Sequence, residues 1–419
     1  MRTSKNLVKL IGNSGLALAL GGVACGAPSE GVGVEQREFD IITGFHADSP
    51  QLNHTGALVV VDPLTGEIVP FCSSTLIGPE TVVTAKHCAV IFPQAESAGF
   101  VVAWAAGPRA EAPDELIPIV AADSAPGDVG GFVGMGRDVA VGYLEHPTAI
   151  SPAVPKLLTP ALVGQAMVSI GYGVYGASGA ADDQRRIGRE TIAATEGRVF
   201  EVMFGTFEDF VEWAFTGQVT DQDFLATVSP DDPFIEQLRV IFDTQILFDQ
   251  HEVVTGLSPS DTQSCFGDSG GPLARFSNGT WETYGVVSGG LGSLRSACDF
   301  GGVFSSFGPQ SLAFLQAARQ WSDPCGDVTA AGACSDGQAQ RCETSLVAGI
   351  RRLATQDCTA AGLPCVSNEQ GVGCGTVPLA VPVDPPDPGA DQQLLEGIES
   401  AFRPEVQENL SWRPRGSSN

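Results

Sequence analysis

The sequence predicts an all-β fold with few helices for residues 41–321, either a barrel or a sandwich. Short runs rich in β-branched residues recur there and are bounded by Gly, Pro, Asp or Ser, as at 56–61, 81–84 and 101–105. Many short strands separated by turn residues favour such folds over alternating β and α units. The clear exception is 311–321, where apolar residues fall at helical spacing and predict a helix.

The N-terminal residues 1–24 have the composition of an export signal. Three basic residues precede an apolar stretch at 10–24 that ends in small residues. Its longest apolar run is too short to span a bilayer, which takes about 20 residues, and no later segment approaches that length. Residues 25–40 form a short polar, Gly-rich leader.

Cys25 stands apart from the other ten cysteines, all of which lie at or beyond position 72. An even set of ten in an exported chain predicts a disulfide framework. Cys25 directly follows the signal, as in bacterial lipoproteins, which are cleaved before such a cysteine and carry lipid on it. Gly22 departs from that motif, so lipidation and ordinary cleavage near Ala24 or Ala27 both stay open. We expect a secreted protein, or one tethered to the bacterial outer membrane as a lipoprotein.

The charge balance narrows the classes of partner. With 22 basic and 49 acidic residues the chain carries a net charge of −27. This balance argues against binding to nucleic acid and against electrostatic docking on anionic membranes. The simplest interpretation is a solubilising surface.

A separate module is predicted at 325–374, which holds six cysteines and few large apolar side chains. Such a segment cannot be stabilised by core burial alone and needs disulfide bonds, although their pairing cannot be read from the sequence. It contains neither a CxxC pair nor a histidine, which argues against structural zinc. Residues 376–419 begin with alternating Pro, Val and Asp and are predicted to form a disordered tail.

Three motifs carry the chemistry. Ser269 lies in the segment CFGDSGGP, where a turn can expose its hydroxyl and neighbouring backbone N–H groups can face an oxyanion. His87 lies in TAKHC, and Asp138 opens the strand-like run DVAVGYL. A serine nucleophile needs a base within hydrogen-bond reach, and imidazole titrates near neutrality. Histidine, then aspartate, then serine is the chain order of one of the convergent catalytic triads.

On these motifs residues 41–321 resemble the trypsin/chymotrypsin family of serine endopeptidases, of the bacterial secreted type. The resemblance implies two six-stranded antiparallel β-barrels with a C-terminal helix, a monomer without cofactor or metal, and protein or peptide substrates. It assigns His87 as the base, Asp138 as its buried partner and Ser269 as the nucleophile. The backbone N–H groups of Gly267 and Ser269 would form the oxyanion hole.

The resemblance also implies a specificity pocket, formed by Gln263, Ser264, Ser288, Gly290 and Gly302. Gln263 stands where trypsin-like members carry an aspartate, and the two glycines leave the pocket mouth open. We therefore expect the pocket to take an uncharged side chain of medium or large size, and not Arg or Lys.

Two disulfide bonds follow from the same resemblance. Cys72–Cys88 would lie beside the catalytic histidine, and Cys265–Cys298 would brace the wall of the pocket. A third bridge common in the family has no cysteines here.

The resemblance further implies a zymogen. Ile41 matches the mature N-terminus of the family, whose ammonium pairs with the aspartate before the serine, here Asp268. Asp40 stands where the family usually has a basic residue, so the activating enzyme is not expected to be tryptic. The alternative is that Ile41 merely begins a first strand.

Residues 201–250 do not fit the minimal family core. They combine eleven acidic residues with one basic residue and many phenylalanines, and parts of them have helical periodicity. We interpret them as an insertion packed against the second barrel. A structural elaboration is favoured over a substrate-selecting loop.

A rival class of function is a binding protein, either a catalytically dead protease-like fold or a chain that acts through its cysteine-rich module. All three candidate catalytic residues are present, which favours the enzyme.

Overall fold

The described part of the chain comes from a computed structural model. It covers residues 44–127, 136–173, 183–220, 224–227, 233–258, 261–290, 300–345, 350–360, 362–368 and 371–375. Outside it lie the predicted signal 1–24 with the leader 25–40, Cys25, Ile41, Cys298 and the tail 376–419. Within the covered ranges, no helix has the length and apolar character needed to cross a membrane.

The first barrel is built around a core of large apolar side chains. A short strand β1 (Phe45–His46) precedes it. Its strands are β2 (Thr55–Val61), β3 (Ile68–Gly78), β4 (Thr81–Thr84), β5 (Val101–Ala106), β6 (Glu115–Ser124) and β7 (Ala140–Leu144). They close in the order β2-β3-β4-β7-β6-β5, and all neighbours are antiparallel. Leu58, Leu76, Val82 and Trp104 fill the interior and are inaccessible to solvent. Two short helices, α1 (Lys86–Ala89) and α2 (Ile91–Ser97), follow β4.

The second barrel also closes on itself with six antiparallel strands. Its region contains β8 (Val154–Pro155), β9 (Ala166–Gly171), β10 (Arg186–Ala194), β11 (Gly197–Arg198), β12 (Ile246–Leu247), β13 (Glu252–Thr255), β14 (Pro272–Ser277), β15 (Thr280–Gly290) and β16 (Gly302–Ser306). The ring runs β9-β10-β13-β16-β15-β14 and closes because β14 pairs with β9. β1 extends the sheet beside β10, β8 lies parallel to β15, and β11 pairs with β12 in a separate two-stranded sheet.

Among the described residues between β11 and β12, three α-helices and a short 3-10 helix, Phe224–Thr227, interrupt the second barrel. The α-helices are α3 (Val199–Phe204), α4 (Phe207–Thr216) and α5 (Pro233–Thr244). Helix α4 begins at a capping side chain, because the Thr206 hydroxyl accepts the Asp209 N–H at 3.1 Å. It ends at Gly217, whose φ of 73° is the left-handed conformation that favours glycine. The helical periodicity predicted for parts of 201–250 thus corresponds to these helices.

The aromatic residues of this insertion form their own core against the barrel. Phe200, Phe204, Phe207, Phe210, Trp213 and Phe242 are all buried in it. The Phe204 ring stacks on Phe300, which lies just before β16, with ring centroids 4.8 Å apart. Val254 of β13 and Val303 of β16 belong to the same cluster. The insertion therefore packs on the strand pair that carries Gly302, one of the predicted pocket residues.

The chain returns to the first barrel through helix α6 (Pro309–Ala318). This helix begins at Pro309, two residues before the predicted start. Proline is favoured at the first helical position, because the N–H group that it lacks would have no partner within the helix there. It ends before the predicted end at 321. Trp321 lies beyond it and stacks on Tyr143 of the first barrel with ring centroids 4.6 Å apart. The predicted all-β fold of two six-stranded barrels with a C-terminal helix is confirmed.

The C-terminal cysteines form a small disulfide-bonded module. Its strands are β17 (Ala333–Ser335), β18 (Gln338–Ser345), β19 (Ile350–Asp357), β20 (Cys365–Asn368) and β21 (Gly371–Cys374). Its bridges are Cys325–Cys342, Cys334–Cys365 and Cys358–Cys374. Ser345 donates to Glu96 of α2 at 3.2 Å and so links the module to the first barrel.

Candidate active site

His87 and Asp138 meet because the strands that precede and follow them pair. His87 lies in α1, directly after β4, and Asp138 lies two residues before β7; Thr84 of β4 is opposite Ala140 of β7. Asp138 Oδ2 is 2.7 Å from His87 Nδ1, and Oδ1 accepts the His87 backbone N–H at 2.9 Å. A carboxylate can only accept, so His87 Nδ1 donates the hydrogen bond to it. The His87 side chain is 20% exposed and that of Asp138 5%, so the acid is buried behind the base.

Two hydroxyls from the second barrel hold the Asp138 carboxylate and its peptide. Ser288 Oγ donates to Asp138 Oδ2 at 2.6 Å, and the Asp138 N–H donates to Ser305 Oγ at 3.1 Å. Ser288 was predicted as part of the pocket, and its hydroxyl faces the candidate acid. Ser305 was not predicted at all. No local pattern identifies it, since its partner is 167 positions away in the chain.

The backbone of Ser269 lies beside the residue that follows His87. Its carbonyl oxygen accepts the Ser73 N–H at 2.8 Å and is 3.7 Å from Cys88 Sγ. The predicted Cys72–Cys88 bond is present and closes a loop of 16 residues, a constraint that typically stabilises by about 3 kcal/mol. Strand β3 and helix α1 thus fix the Ser269 backbone next to the histidine.

A metal centre does not fit this corner of the molecule. Ligand atoms of Cys72, His87 and Cys88 lie within 4.8 Å of one another. However, the two sulfur atoms are bonded to each other, and a thiolate is the form in which cysteine binds a metal. His87 is therefore left with the carboxylate of Asp138 as its structural partner.

The peptide of Gly267 is held in a conformation that other residues rarely adopt. Its φ is 92°, and a Cβ there would lie 2.9 Å from Gly173 Cα. The Gly267 carbonyl accepts the Ser73 hydroxyl at 2.8 Å, and the same hydroxyl accepts the Tyr172 N–H at 3.0 Å. This chain of hydrogen bonds fixes the backbone on which the predicted oxyanion donors lie.

Asp268 points away from solvent into a cradle of backbone groups. Its two oxygens accept the N–H groups of Gly173 and Cys265, each at 2.9 Å. A Cβ on Gly171 or Gly173 would collide with the carboxyl group, so the glycines make room for it. Burial raises the pKa of Asp268 to about 6, while these hydrogen bonds and the charge of Arg186 lower it in part. Its predicted partner, the amino group of Ile41, lies outside the described residues.

The other predicted pocket residues lie on three adjoining segments. Gly290 and Gly302 are opposite each other on β15 and β16. Gln263 Nε2 donates to the Gly256 carbonyl at 2.8 Å, and Ser264 is buried beside it. Cys265 is disulfide-bonded, and Cys298, its predicted partner, lies outside the described residues.

Sequence reasoning missed Glu190, a buried acid behind these residues. Ser264 Oγ donates to its carboxyl group at 3.3 Å, and burial raises the pKa of Glu190 to about 8. A signal was available in the alternation of β10. Gly188, Glu190 and Ile192 occupy inward-facing positions, and exposed Arg189 lies between the first two.

The two-barrel architecture fits a chymotrypsin-like fold. No protein-family model matches the chain, and no curated protein matches it significantly. The fold and the geometry around His87 are therefore the features that bear on function.

Proposed function

We propose that this chain is a serine endopeptidase that hydrolyses peptide bonds through Ser269, His87 and Asp138. The observation that carries the proposal is the 2.7 Å contact between His87 and the buried carboxylate of Asp138, at the junction of the two barrels. The Ser269 backbone lies against Cys88, the residue that follows the histidine. A positioned acid, a base and an adjacent hydroxyl are the elements of nucleophilic acyl transfer.

In this mechanism Ser269 Oγ attacks the carbonyl carbon of the peptide bond while His87 Nε2 accepts its proton. Asp138 stabilises the imidazolium that forms. The histidine then gives the proton to the departing amine, which leaves an acyl-enzyme that water hydrolyses by the same steps in reverse. The N–H groups of Gly267 and Ser269 bind the oxyanion; losing one such donor typically costs about 2.7–4 kcal/mol of transition-state stabilisation.

The pH dependence of kcat/KM tests the role of His87. A protonated imidazole cannot accept the serine proton, so kcat/KM for an uncharged substrate is expected to fall as the pH is lowered. Asp268 adds to the loss at low pH, because burial raises the pKa of its carboxyl group and the protonated form cannot pair with an ammonium. The measurement uses a peptide amide without titratable groups. A flat profile between about pH 4 and 7 contradicts the proposed base.

The proposal includes export, activation and the nature of the substrate. Disulfide bonds fit an oxidising compartment, so the protein is secreted or carries lipid on Cys25. Its substrates are proteins or peptides, and it is made as a zymogen. The new ammonium at Ile41 pairs with the buried Asp268 and orders the pocket, since an unpaired buried charge is costly.

N-terminal sequencing of the active form is expected to give a sequence that begins at Ile41, and a start upstream of it contradicts this activation.

A further inference from the structure

Three consecutive residues that end at the candidate acid bind the second barrel. The Gly136 carbonyl accepts the Ser305 hydroxyl at 3.2 Å, and the Asp138 N–H donates to the same oxygen at 3.1 Å. Between them, Arg137 Nε donates to Nε2 of His251, the residue before β13, at 3.3 Å. The second barrel therefore fixes the backbone from which Asp138 reaches the first barrel.

Glu252 is a buried acid that the proposed mechanism does not use. It opens β13 and is 1% exposed. Its Oε1 accepts the Gly136 N–H at 3.1 Å, and its Oε2 accepts the Phe248 N–H at 2.8 Å. Hydrogen bonds from a backbone N–H to a carboxylate are roughly twice as strong as those between neutral groups. Glu252 thus joins segment 136–138 to the turn that leads into β13.

Glu252 and Ser305 reach this segment together because they are neighbours across two strands. Glu252 of β13 is directly opposite Ser305 of β16. Side chains of directly opposed residues lie on the same face of an antiparallel pair, with Cβ atoms about 4.5–5.5 Å apart. The Ser305 hydroxyl uses its proton for the Gly136 carbonyl and a lone pair for the Asp138 N–H. The two side chains therefore hold both polar backbone groups of Gly136 and the N–H group of Asp138.

The position of this segment decides how the acid meets the base. Asp138 Oδ2 is 2.7 Å from His87 Nδ1, and Oδ1 accepts the His87 backbone N–H at 2.9 Å. Both contacts depend on where the Asp138 backbone lies, because the carboxylate is carried on a short side chain. A misplacement of about 1 Å in an active site can lower a rate by about a hundredfold.

We propose that Glu252 is a positioning residue for this reaction, which together with Ser305 holds the Asp138 carboxylate in place against His87. Glu252 acts through Asp138 and needs no contact with the substrate. Its loss should therefore lower kcat and leave substrate binding little changed. The inference rests on the proposed function and adds a residue to it.

Glu252→Gln tests this role without changing the size of the side chain. An amide has one acceptor oxygen, so it can replace only one of the two oxygens that bind Gly136 and Phe248, and it turns an N–H donor toward the other. The protein is the full chain, activated by removal of its leader, and the substrate is a peptide amide without titratable groups. We expect kcat to fall about tenfold with little change in KM.

Glu212→Gln is the matched control for this substitution. Glu212 is also buried and accepts a backbone N–H, that of Thr220 at 2.8 Å, but it lies in α4 of the insertion. It is expected to keep native kcat. The thermal unfolding midpoints of both variants show how much stability each substitution costs.

Two further variants keep the inference testable if Glu252→Gln does not fold. Glu252→Asp retains the charge and both oxygens but withdraws them from Gly136 by one methylene, and it is expected to lose kcat in the same way. Ser305→Ala removes the hydroxyl that binds Gly136 and Asp138, with the same expected result. Ser306→Ala is its control, since Ser306 is also buried and its hydroxyl has no partner among the described residues.

Double variants separate positioning from a general effect on the fold. If Glu252 acts through Asp138, its replacement has little left to disturb once Asp138 is already asparagine. Adding Glu252→Gln to Asp138→Asn is therefore expected to lower kcat by less than about twofold, whereas independent effects would multiply and repeat the full loss.

Two results overturn the inference and leave the endopeptidase in place. One is a loss of kcat in Glu252→Gln that is no larger than in Glu212→Gln. The other is the same loss in the Asp138→Asn background as in the native protein, which would mean that Glu252 does not act through Asp138. The absence of any hydrolysis that depends on Ser269 overturns the proposed function as well.

Discussion

Replacing Ser269 with alanine is expected to lower kcat for peptide hydrolysis by about a million-fold. Without the hydroxyl no acyl-enzyme can form, and what remains is the effect of substrate binding and of the oxyanion hole. The fold should not change, because the hydrogen bonds described for Ser269 are made by its backbone carbonyl with Ser73 and Cys88. The measurement is kcat on a peptide amide, together with the thermal unfolding midpoint of both proteins.

Ser277→Ala is the control for this substitution, since Ser277 ends β14 in the same barrel and is only partly buried. It is expected to keep native kcat. Hydrolysis that persists in Ser269→Ala at more than a small fraction of the native rate would show that another group is the nucleophile.

Asp138→Asn is expected to lower kcat by about ten thousand-fold and to leave KM much less affected. Asparagine keeps the size of the side chain but can donate through its amide nitrogen, which allows the wrong tautomer of His87. The carboxylate accepts two hydrogen bonds from His87 and one from Ser288, and an amide cannot replace all three. The variant is compared with the native protein in steady-state kinetics at several pH values.

Asp123→Asn serves as the matched control for Asp138→Asn. Asp123 lies in the same barrel and accepts a hydrogen bond from the Tyr143 hydroxyl at 3.0 Å, without contact to His87. Its replacement is expected to change kcat less than twofold, because its described hydrogen bond is to Tyr143 and not to a candidate catalytic residue. Equal losses in both variants would mean that Asp138 acts only on stability.

The fold was predictable where local patterns and the resemblance agreed. The runs at 56–61 and 101–105 became β2 and β5 with shifts of one residue at the ends. The helical spacing at 311–321 predicted α6 but not its limits. The helix begins at Pro309, and Trp321 lies beyond its end, where it stacks on Tyr143. A local pattern predicts whether a segment forms a strand or a helix, whereas its packing partners decide where that element ends.

The features that could not be predicted depend on contacts between distant parts of the chain. The pairing of the six C-terminal cysteines could not be chosen from sequence, since Cys334–Cys365 and Cys358–Cys374 join segments that belong to two separate sheets. The hydroxyl of Ser288 binds Asp138 from 150 positions away. Glu190 looked like an ordinary strand residue, and only the closed barrel shows that its carboxyl group is enclosed behind Ser264.

Covalent labelling of the active protein by a fluorophosphonate tests the assignment of Ser269 most directly. This reagent forms a bond to an activated serine oxygen and releases fluoride, so it reports the nucleophile without any assumption about the substrate. The full chain is treated before and after removal of its leader, and the modified peptide is identified by mass spectrometry. We expect stoichiometric labelling of Ser269 in the activated protein, strongly slowed labelling in His87→Ala and none in Ser269→Ala. Undiminished labelling in Ser269→Ala, or none in the activated native protein, would contradict the account.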